Sequence, residues 1–462
     1  MLKQFLWLGY GLLGNIFLCL GQAHQQPITL NELLTLVRQN APSLVTDSTN
    51  LLIKEAQARE IYNSRLPDLN LSYQANVGSN NNVPGPYFGF GLVPTNNGGI
   101  RSSANYEAVS SNLGIAAFQW EFYNFGQYKA QDELAKAELK AAQSRFEEAR
   151  YDLQSFTIYS YLQLLKYNDL IAIQARSINR NKEIHRSIMA LARSGIRPGV
   201  DTSMAEAELS RARLSQIDLT NQQNQLKIRL AAISGLSAEK IVPDTVSEKI
   251  LFEQIKNSPV EVHGIMQHPL INYYHALLAS QQAKETLLTK SYRPKLFLSG
   301  AVWGRAASIT SDSRFLSLDQ GLGFQRGNYL AGLGISYNLF DRKRKQLALN
   351  TQRLLVEQSS RKLHEEQVNI ETNILQASAE VDASQQRLNE IPNQIKAANA
   401  AYRQKFSLYK NGLTDIVELN VAQNILDRAE RDYITAKYNY YLALFHQVIA
   451  QNNIAPFLKL FN

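Results

Sequence analysis

The sequence repeats itself, which restricts the chain to folds built from two like halves. Displaced by 227 residues, Pro42 falls on Pro269, Ala56 on Ala283, Pro67 on Pro294 and Leu69 on Leu296. Further along the displacement becomes 217, and Gly195 meets Gly412, Val200 meets Val417, Leu209 meets Leu426 and Ala212 meets Ala429. The ten-residue change falls between Leu71 and Ala116. Each half runs through a helical lead-in, a strand, a loop, a strand, a very long helical tract, a glycine-marked turn and a returning helix. Two such copies are too few and too long for a solenoid, so each is read as half of a pseudo-symmetric protomer.

The amino terminus reads as an export signal. Lys3 precedes an apolar run from Phe5 to Leu20, and Gly21-Gln22-Ala23 has the small-x-small form of a signal-peptidase site, so residues 1–23 are expected to be removed. No later stretch reaches the roughly 18 apolar residues of a membrane-spanning helix. Cys19 is the only cysteine and would leave with the signal, which removes disulfide and thiolate chemistry. Leu18 in front of it speaks against acylation as a lipoprotein. The net charge of +8, less one when Lys3 is lost, is too diffuse over 462 residues to suggest nucleic acid. Seven irregularly spaced His and four Met supply no ligand cluster, so no metal or other cofactor is expected. An enzyme is disfavoured too: no Gly-Lys dipeptide occurs, so there is no Walker phosphate loop, and no triad spacing stands out.

Strand signals occur in four places, at about 68–78, 112–122, 295–304 and 329–340. Leu69, Leu71, Tyr73, Ala75 and Val77 alternate with Asn70, Ser72, Gln74 and Asn76, the period-two pattern of a strand with unlike faces. Tyr329, Ala331, Leu333, Ile335, Tyr337 and Leu339 likewise oppose Gly332, Gly334, Ser336 and Asn338. The second strand has an ambiguous phase by itself, and the 217-residue displacement resolves it by placing Ala116, Phe118, Trp120 and Phe122 on the apolar face. A soluble sandwich would also alternate. Segments of about 9–11 residues with aromatics near their ends suit tilted strands crossing an outer membrane. The connecting segments, Ser79–Gly99 with Pro84, Pro86 and Pro94, and Ser308–Gly327, are irregular and read as external loops.

Helix dominates the rest. Gln127–Arg193 contains no proline, and as continuous helix would extend about 100 Å at about 1.5 Å per residue. The long helices are expected over 127–194 and 343–411, and the returning helices over 200–234 and 415–451. The returning helix carries a heptad seam through Ala205, Leu209, Ala212, Gln216, Leu219, Gln223, Leu226, Leu230 and Ile233. Its copy runs through Ala422, Leu426, Ala429, Tyr433, Ala436, Tyr440, Ala443, Gln447 and Ala450. An ordinary long coiled coil is the plain alternative. Pro392, Ala175 in the first copy, is expected to kink or break the second long tract. Thr29 with Glu32, and Ser258-Pro259-Val260-Glu261, carry capping-box patterns at the lead-in helices.

A membrane barrel does not close on four strands, since about eight is the practical minimum. The chain is therefore expected to share a barrel with copies of itself. Three copies make twelve strands, and the antiparallel helices continue the cylinder below the membrane. At this point the chain resembles the TolC-like outer membrane factors. The resemblance rests on "LNELLTLVRQNAPSL" and its copy "HPLINYYHALLASQQAKETLLTKSYRPKLFLSG", on "FQWEFYNFGQ" and "YNLFDRKRK", and on "ARSGIRPGVDTSMAEAELSRAR" and "YKNGLTDIVELNVAQNILDRAE". It implies a mixed α and β membrane protein, closing as a homotrimeric 12-stranded β-barrel with an α-helical barrel in the periplasm. It also implies an exit duct for efflux or type I secretion, with a periplasmic adaptor and an inner-membrane transporter as partners. The repeats would occupy residues 24–262 and 263–462, with the protein in the outer membrane. A scaffold without transport activity is the alternative, and would account only for the helices.

The candidate functional residues follow from these turns. Gly195 and Gly412 stand where a left-handed helix end calls for glycine. The resemblance makes Gly195, Ile196, Arg197, Gly412, Leu413 and Thr414 candidate adaptor contacts. Asp201 and Glu418 are matching acids six residues beyond the glycines, where the family commonly has an acid near the tunnel entrance, and Asp415 is a further candidate. Acids in a first helical turn also stabilise the helix dipole by about 0.3–1 kcal/mol, which would explain them without any role in transport. If Glu418 projects inward, three copies form an anionic constriction favouring cations. Pro198, opposite Asp415 in the duplication, makes the turns unequal. Arg342, Lys343, Arg344 and Lys345 stand where the last strand gives way to helix, as candidate contacts to outer-membrane lipid phosphates or as a solvated charge run.

Overall fold

Alternating side chains make the sheet, and proline-poor runs make the long helices. The computed structural model describes residues 27–81, 103–245 and 268–459. The expected signal peptide, Pro84, Pro86 and Pro94, and the Ser258–Glu261 capping pattern lie outside the described residues. The chain divides into two units, one of Thr46–Ala149 and Ile265–Ile370, the other of Met1–Val45, Arg150–Gly264 and Glu371–Asn462.

The first unit holds an antiparallel sheet of β1 (Asp68–Gly78), β2 (Val109–Tyr123), β3 (Lys295–Ala307) and β4 (Arg326–Ser336), in that spatial order. Its register aligns Leu71 with Ala116, Ala116 with Val302 and Val302 with Tyr329, so the apolar members of all strands share one face. On this face Leu71, Tyr329 and Leu333 are each more than half exposed, an arrangement that leaves large apolar side chains uncovered. The opposite face carries Asn70, Ser72, Gln74, Gln119 and Glu121, and Lys295 pairs with Glu121 at 3.0 Å. β1 and β4 are edge strands, each paired on one side only.

β4 ends earlier than the alternation implies. The strand was expected to run to residue 340, but it stops at Ser336, and the Asn338 side chain accepts from Phe340 N to start a 3-10 turn at Leu339–Asp341. Tyr337 and Leu339 therefore belong to the exit from the sheet. Helices α2 (Pro42–Asn63) and α5 (Pro269–Ser291) lead into β1 and β3, and β2 and β4 lead on to α3 (Gln127–Arg193) and α6 (Arg342–Lys410); α5 lies wholly in this unit and the others partly. Phe125 and Gly126 take positive φ angles of 52° and 93° to turn β2 into α3, and Asn124 caps Tyr128 N.

The second unit is helical. It contains α1 (Leu30–Asn40), the continuation of α3, α4 (Val200–Ser234), the continuation of α6, α7 (Ile416–Ala450) and α8 (Ile454–Lys459). Thr29 and Glu32 form a complete capping box at α1, with both reciprocal bonds present. The heptad positions Ala205, Leu209 and Ala212 are buried, as are their counterparts Ala422, Leu426 and Ala429. α6 continues through Pro392, so the expected break does not occur. Proline removes one donor and crowds the preceding turn, and the surrounding helical residues carry the chain past it.

Candidate functional site

Both turns between long and returning helices have the same backbone chemistry. Gly195 has φ 76° and donates to Ala192 O, while Ile196 donates to Leu191 O at 3.0 Å. Gly412 has φ 75° and donates to Tyr409 O, while Leu413 donates to Leu408 O at 2.9 Å. Each is a Schellman end, in which a left-handed residue lets two amides satisfy carbonyls the helix leaves open. No atom lies within 4 Å of a Cβ built on either glycine, so backbone conformation alone sets the requirement. Ile196 and Leu413, immediately after the glycines, are 62% and 73% exposed, apolar side chains held out beyond the helix ends.

Beyond the glycines the two copies differ. α7 begins at an Asp415 cap whose side chain accepts from Glu418 N at 2.9 Å, whereas α4 begins at Gly199 with no side-chain cap. Pro198 at the position matching Asp415 accounts for this: its side chain has no oxygen to cap the helix, and its carbonyl accepts from Asp201 N at 3.2 Å instead. Glu418 is exposed and pairs with Lys405 at 2.8 Å. Asp201, its counterpart, is buried and accepts a 2.9 Å hydrogen bond from the Tyr409 hydroxyl. The acids that match in sequence therefore occupy unlike environments.

Tyr409 joins the two turns. Fully buried on α6, it packs in one cluster with Ile184 and Ile188 of α3, Ala205 of α4, and Ile416 and Leu419 of α7. Arg197 lies over its ring, 4.6 Å from the centroid, and donates to the Tyr409 and Thr414 carbonyl oxygens. Burial, then the hydrogen bond to Asp201 and its negative charge, push the phenol well above its ordinary range, with Arg197 pulling the other way. Tyr409 thus stays protonated and donates to a carboxylate. Arg197, Asp201 and Tyr409 form a clasp between the glycine turn of the first copy and that of the second.

Further along, Arg180 of α3 meets Asp427 at 2.6 Å and Glu430 at 2.5 Å, and Ser177 donates to Asp427 at 2.8 Å. Burial lowers the guanidinium, but hydrogen bonds to Glu430 and Asp427 outweigh this and raise it. Removing Arg180 would leave two carboxylates without compensation in a poorly hydrated place, so the cluster ties α3 to α7 at this level. Sequence reasoning missed these residues, as it missed Tyr409. In sequence they are more than 200 residues apart, and only the pairing of the tracts would have brought them together.

Arg342, Lys343, Arg344 and Lys345 lie in the first turn of α6, where cations oppose the helix dipole. Arg344 is offset by Asp341 at 3.1 Å, and Lys345 lies 5.9 Å from the Tyr292 ring centroid. Arg342 and Lys343 are exposed. Among the described residues no group of three or more His, Cys, Asp or Glu is placed to hold a metal ion, and no helix is long and apolar enough to cross a membrane.

The family model for outer membrane efflux proteins matches residues 33–236 and 301–445, most of the chain. The chain belongs to the outer membrane efflux protein family. This efflux protein family is a family of outer-membrane transport channels, and the TolC-like resemblance read from the sequence agrees with it. The fold agrees as well. The chain is 19% identical to the outer-membrane channel OprN, with TM-score 0.71 over 92% of this chain and 90% of that one. CusC is 14% identical, with TM-score 0.74 over 92% of each chain. VceC of Vibrio cholerae, an outer membrane protein, is 16% identical, with TM-score 0.71 over 91% of this chain and 95% of that one. No curated protein sequence matches the chain.

Proposed function

We propose that the protein is the passive exit duct of a tripartite efflux or type I secretion system, closed by three copies of the chain. The observation that carries this reading is the pair of edge strands. β1 and β4 each leave a row of backbone donors and acceptors without a partner, and these cannot stay open inside a bilayer. Pairing β4 of one copy with β1 of the next removes both edges, and a ring of three has the twelve strands of a practical barrel. The apolar face with Leu71, Tyr329 and Leu333 then meets lipid, and the polar face with Asn70 and Ser72 lines the lumen. On this reading residues 1–23 are a signal peptide, and 24–262 and 263–462 the two repeats.

The helices extend into the periplasm. Their glycine turns, with Ile196 and Leu413 outermost, receive a periplasmic adaptor, and an inner-membrane transporter supplies the energy. The Arg197–Tyr409–Asp201 clasp holds the two turns at a set spacing, so an adaptor meets them as one surface. Glu418 and Asp415 are the acids left near the entrance, while Asp201 serves the clasp. Arg342, Lys343, Arg344 and Lys345 face lipid phosphates at the periplasmic edge of the membrane. Mass measurement of the detergent-solubilised protein, followed by planar-bilayer recording, tests the architecture. A trimer with stable conductance is expected; a monomeric pore, or a trimer that conducts nothing, would refute the duct and favour a scaffold.

A further inference from the structure

The segment between β3 and β4, read from the sequence as an irregular external loop, folds back onto the sheet. Leu316 N donates to Ser308 O at 2.8 Å, and the following 3-10 turn, Leu318–Leu322, packs against β2. Ser110 Oγ donates to Leu318 O, and Asn112 Nδ2 donates to Leu322 O at 2.8 Å. The Phe324 ring then covers Gly114 and Gly304, where an added Cβ would come within 2.8 Å and 2.7 Å of it, and stands edge-on to Tyr73 at 6.3 Å. At Gly321 a Cβ would run into the backbone of Ser110, so glycine is what allows the turn to lie this close. The segment is therefore docked at several points.

Ser110, Asn112 and Gly114 alternate along β2 on the face of Ala116, and the register sets Ser110 beside Val77 and Asn112 beside Ala75 of the apolar row of β1. Left bare, Ser110 and Asn112 would interrupt an apolar face at levels where its neighbour is still apolar. Both are buried, and the docked segment's carbonyls accept from the Ser110 hydroxyl and the Asn112 amide NH2, while Asn112 Oδ1 accepts from Ala306 N. In their place the segment presents Leu318, Leu322 and Phe324, which are 46%, 53% and 65% exposed.

Height gives an independent reason. With about 3.4 Å per residue and a tilt of about 40°, the apolar row of β2 from Gly114 to Tyr123, which stands opposite Leu296 beyond a bulge, rises about 21 Å, short of the roughly 25 Å apolar band of outer-membrane barrels. Counting from Ser110 instead, the rise is about 31 Å, enough to span it. We propose that Leu318, Leu322 and Phe324 insert among the acyl chains of the outer leaflet, so that a surface loop completes the lipid-facing band of the sheet. This rests on the reading that the apolar face meets lipid.

Spin labels report the surroundings of single sites in the full-length protein reconstituted in lipid nanodiscs. Cys19 is the only native cysteine; with it replaced by serine, labels are placed through Leu322→Cys, Leu71→Cys and Arg314→Cys, with Leu318→Cys as a second probe of the loop. At Leu322 and Leu318 the label should be relaxed by dissolved oxygen and shielded from a water-soluble nickel chelate, as at Leu71, whereas Arg314 should show the reverse. If Leu71 behaves as a lipid site while both loop labels respond to the chelate, the proposal is overturned and the face assignment stands. Loop labels shielded from both agents would mean that another copy of the chain covers the loop, which also overturns it. A water-exposed Leu71 would remove the parent reading and the proposal together.

Discussion

Replacing Tyr409 with phenylalanine removes one oxygen from the clasp and nothing else of size. The hydroxyl donates to Asp201 at 2.9 Å, and Tyr409 is 0% and Asp201 6% exposed, so little water reaches either group. A hydrogen bond to a charged group contributes about 1.5–3 kcal/mol, and Tyr409→Phe should destabilise the helical tip by that amount. Asp201→Ala should cost the same bond plus about 0.3–1 kcal/mol for losing an acid in the first turn of α4. A double-mutant cycle separates the two, because the dipole contribution appears in both backgrounds and cancels. Coupling of about 1.5–3 kcal/mol in denaturant unfolding monitored near the tip is expected; additive losses would refute the clasp as an energetic unit. The alkaline limb provides a second reading. An unfolded phenol titrates near 10.0, while the folded Tyr409 is held above it. The unfolded state therefore loses its proton first as pH rises, so the tyrosine's contribution is intact below about pH 10 and is lost above it. Tyr409→Phe should lack that loss.

Other perturbations address separate links. Leu71→Arg should impair barrel assembly by about 2–4 kcal/mol if the site is near the bilayer midplane, with Ser72→Arg milder; equal damage in a heat-modifiability assay would overturn the face assignment. Glu418→Gln should reduce cation selectivity and block by multivalent cations in planar bilayers with trimer assembly intact, whereas unchanged selectivity with a slightly lower Tm would leave Glu418 only a helix-dipole role. Gly412→Ala should cost about 1–2 kcal/mol, because the space for a methyl is open and only the left-handed backbone resists it; a loss near zero in thermal unfolding would show that the turn relaxes.

Strand phase was readable because the two faces of the sheet carry opposite kinds of side chain at every second position. For β2 the second copy was needed, and its apolar assignment agrees through Trp120 with the register linking Leu71, Ala116, Val302 and Tyr329; beyond it a bulge between Glu121 and Tyr123 sets Tyr123, not Phe122, opposite Leu296. The end of β4 was not readable from alternation, which continues through Tyr337 and Leu339 although an Asn338 cap has already turned the chain. Symmetry also misled at the tips. It made Asp201 and Glu418 equivalents, but their partners are not duplicated: the position matching Tyr409 is Ala192 and the one matching Lys405 is Ile188. An acid's role depends on what faces it, and here the facing residues come from the part of the sequence where the copies have diverged.

The two sheet edges carry a genetic consequence. β1 comes from the first half of the chain and β4 from the second, so in the proposed ring of three, joined head to tail, every chain would depend on both neighbours. A lesion confined to one edge, such as a proline in β4, would leave the chain able to join on its other side and enter mixed assemblies. Drawn at random from equal amounts of damaged and intact chains, a ring of three would be wholly intact about one time in eight. Such an allele should be dominant over the wild type, whereas a truncation that removes the sheet altogether should be recessive.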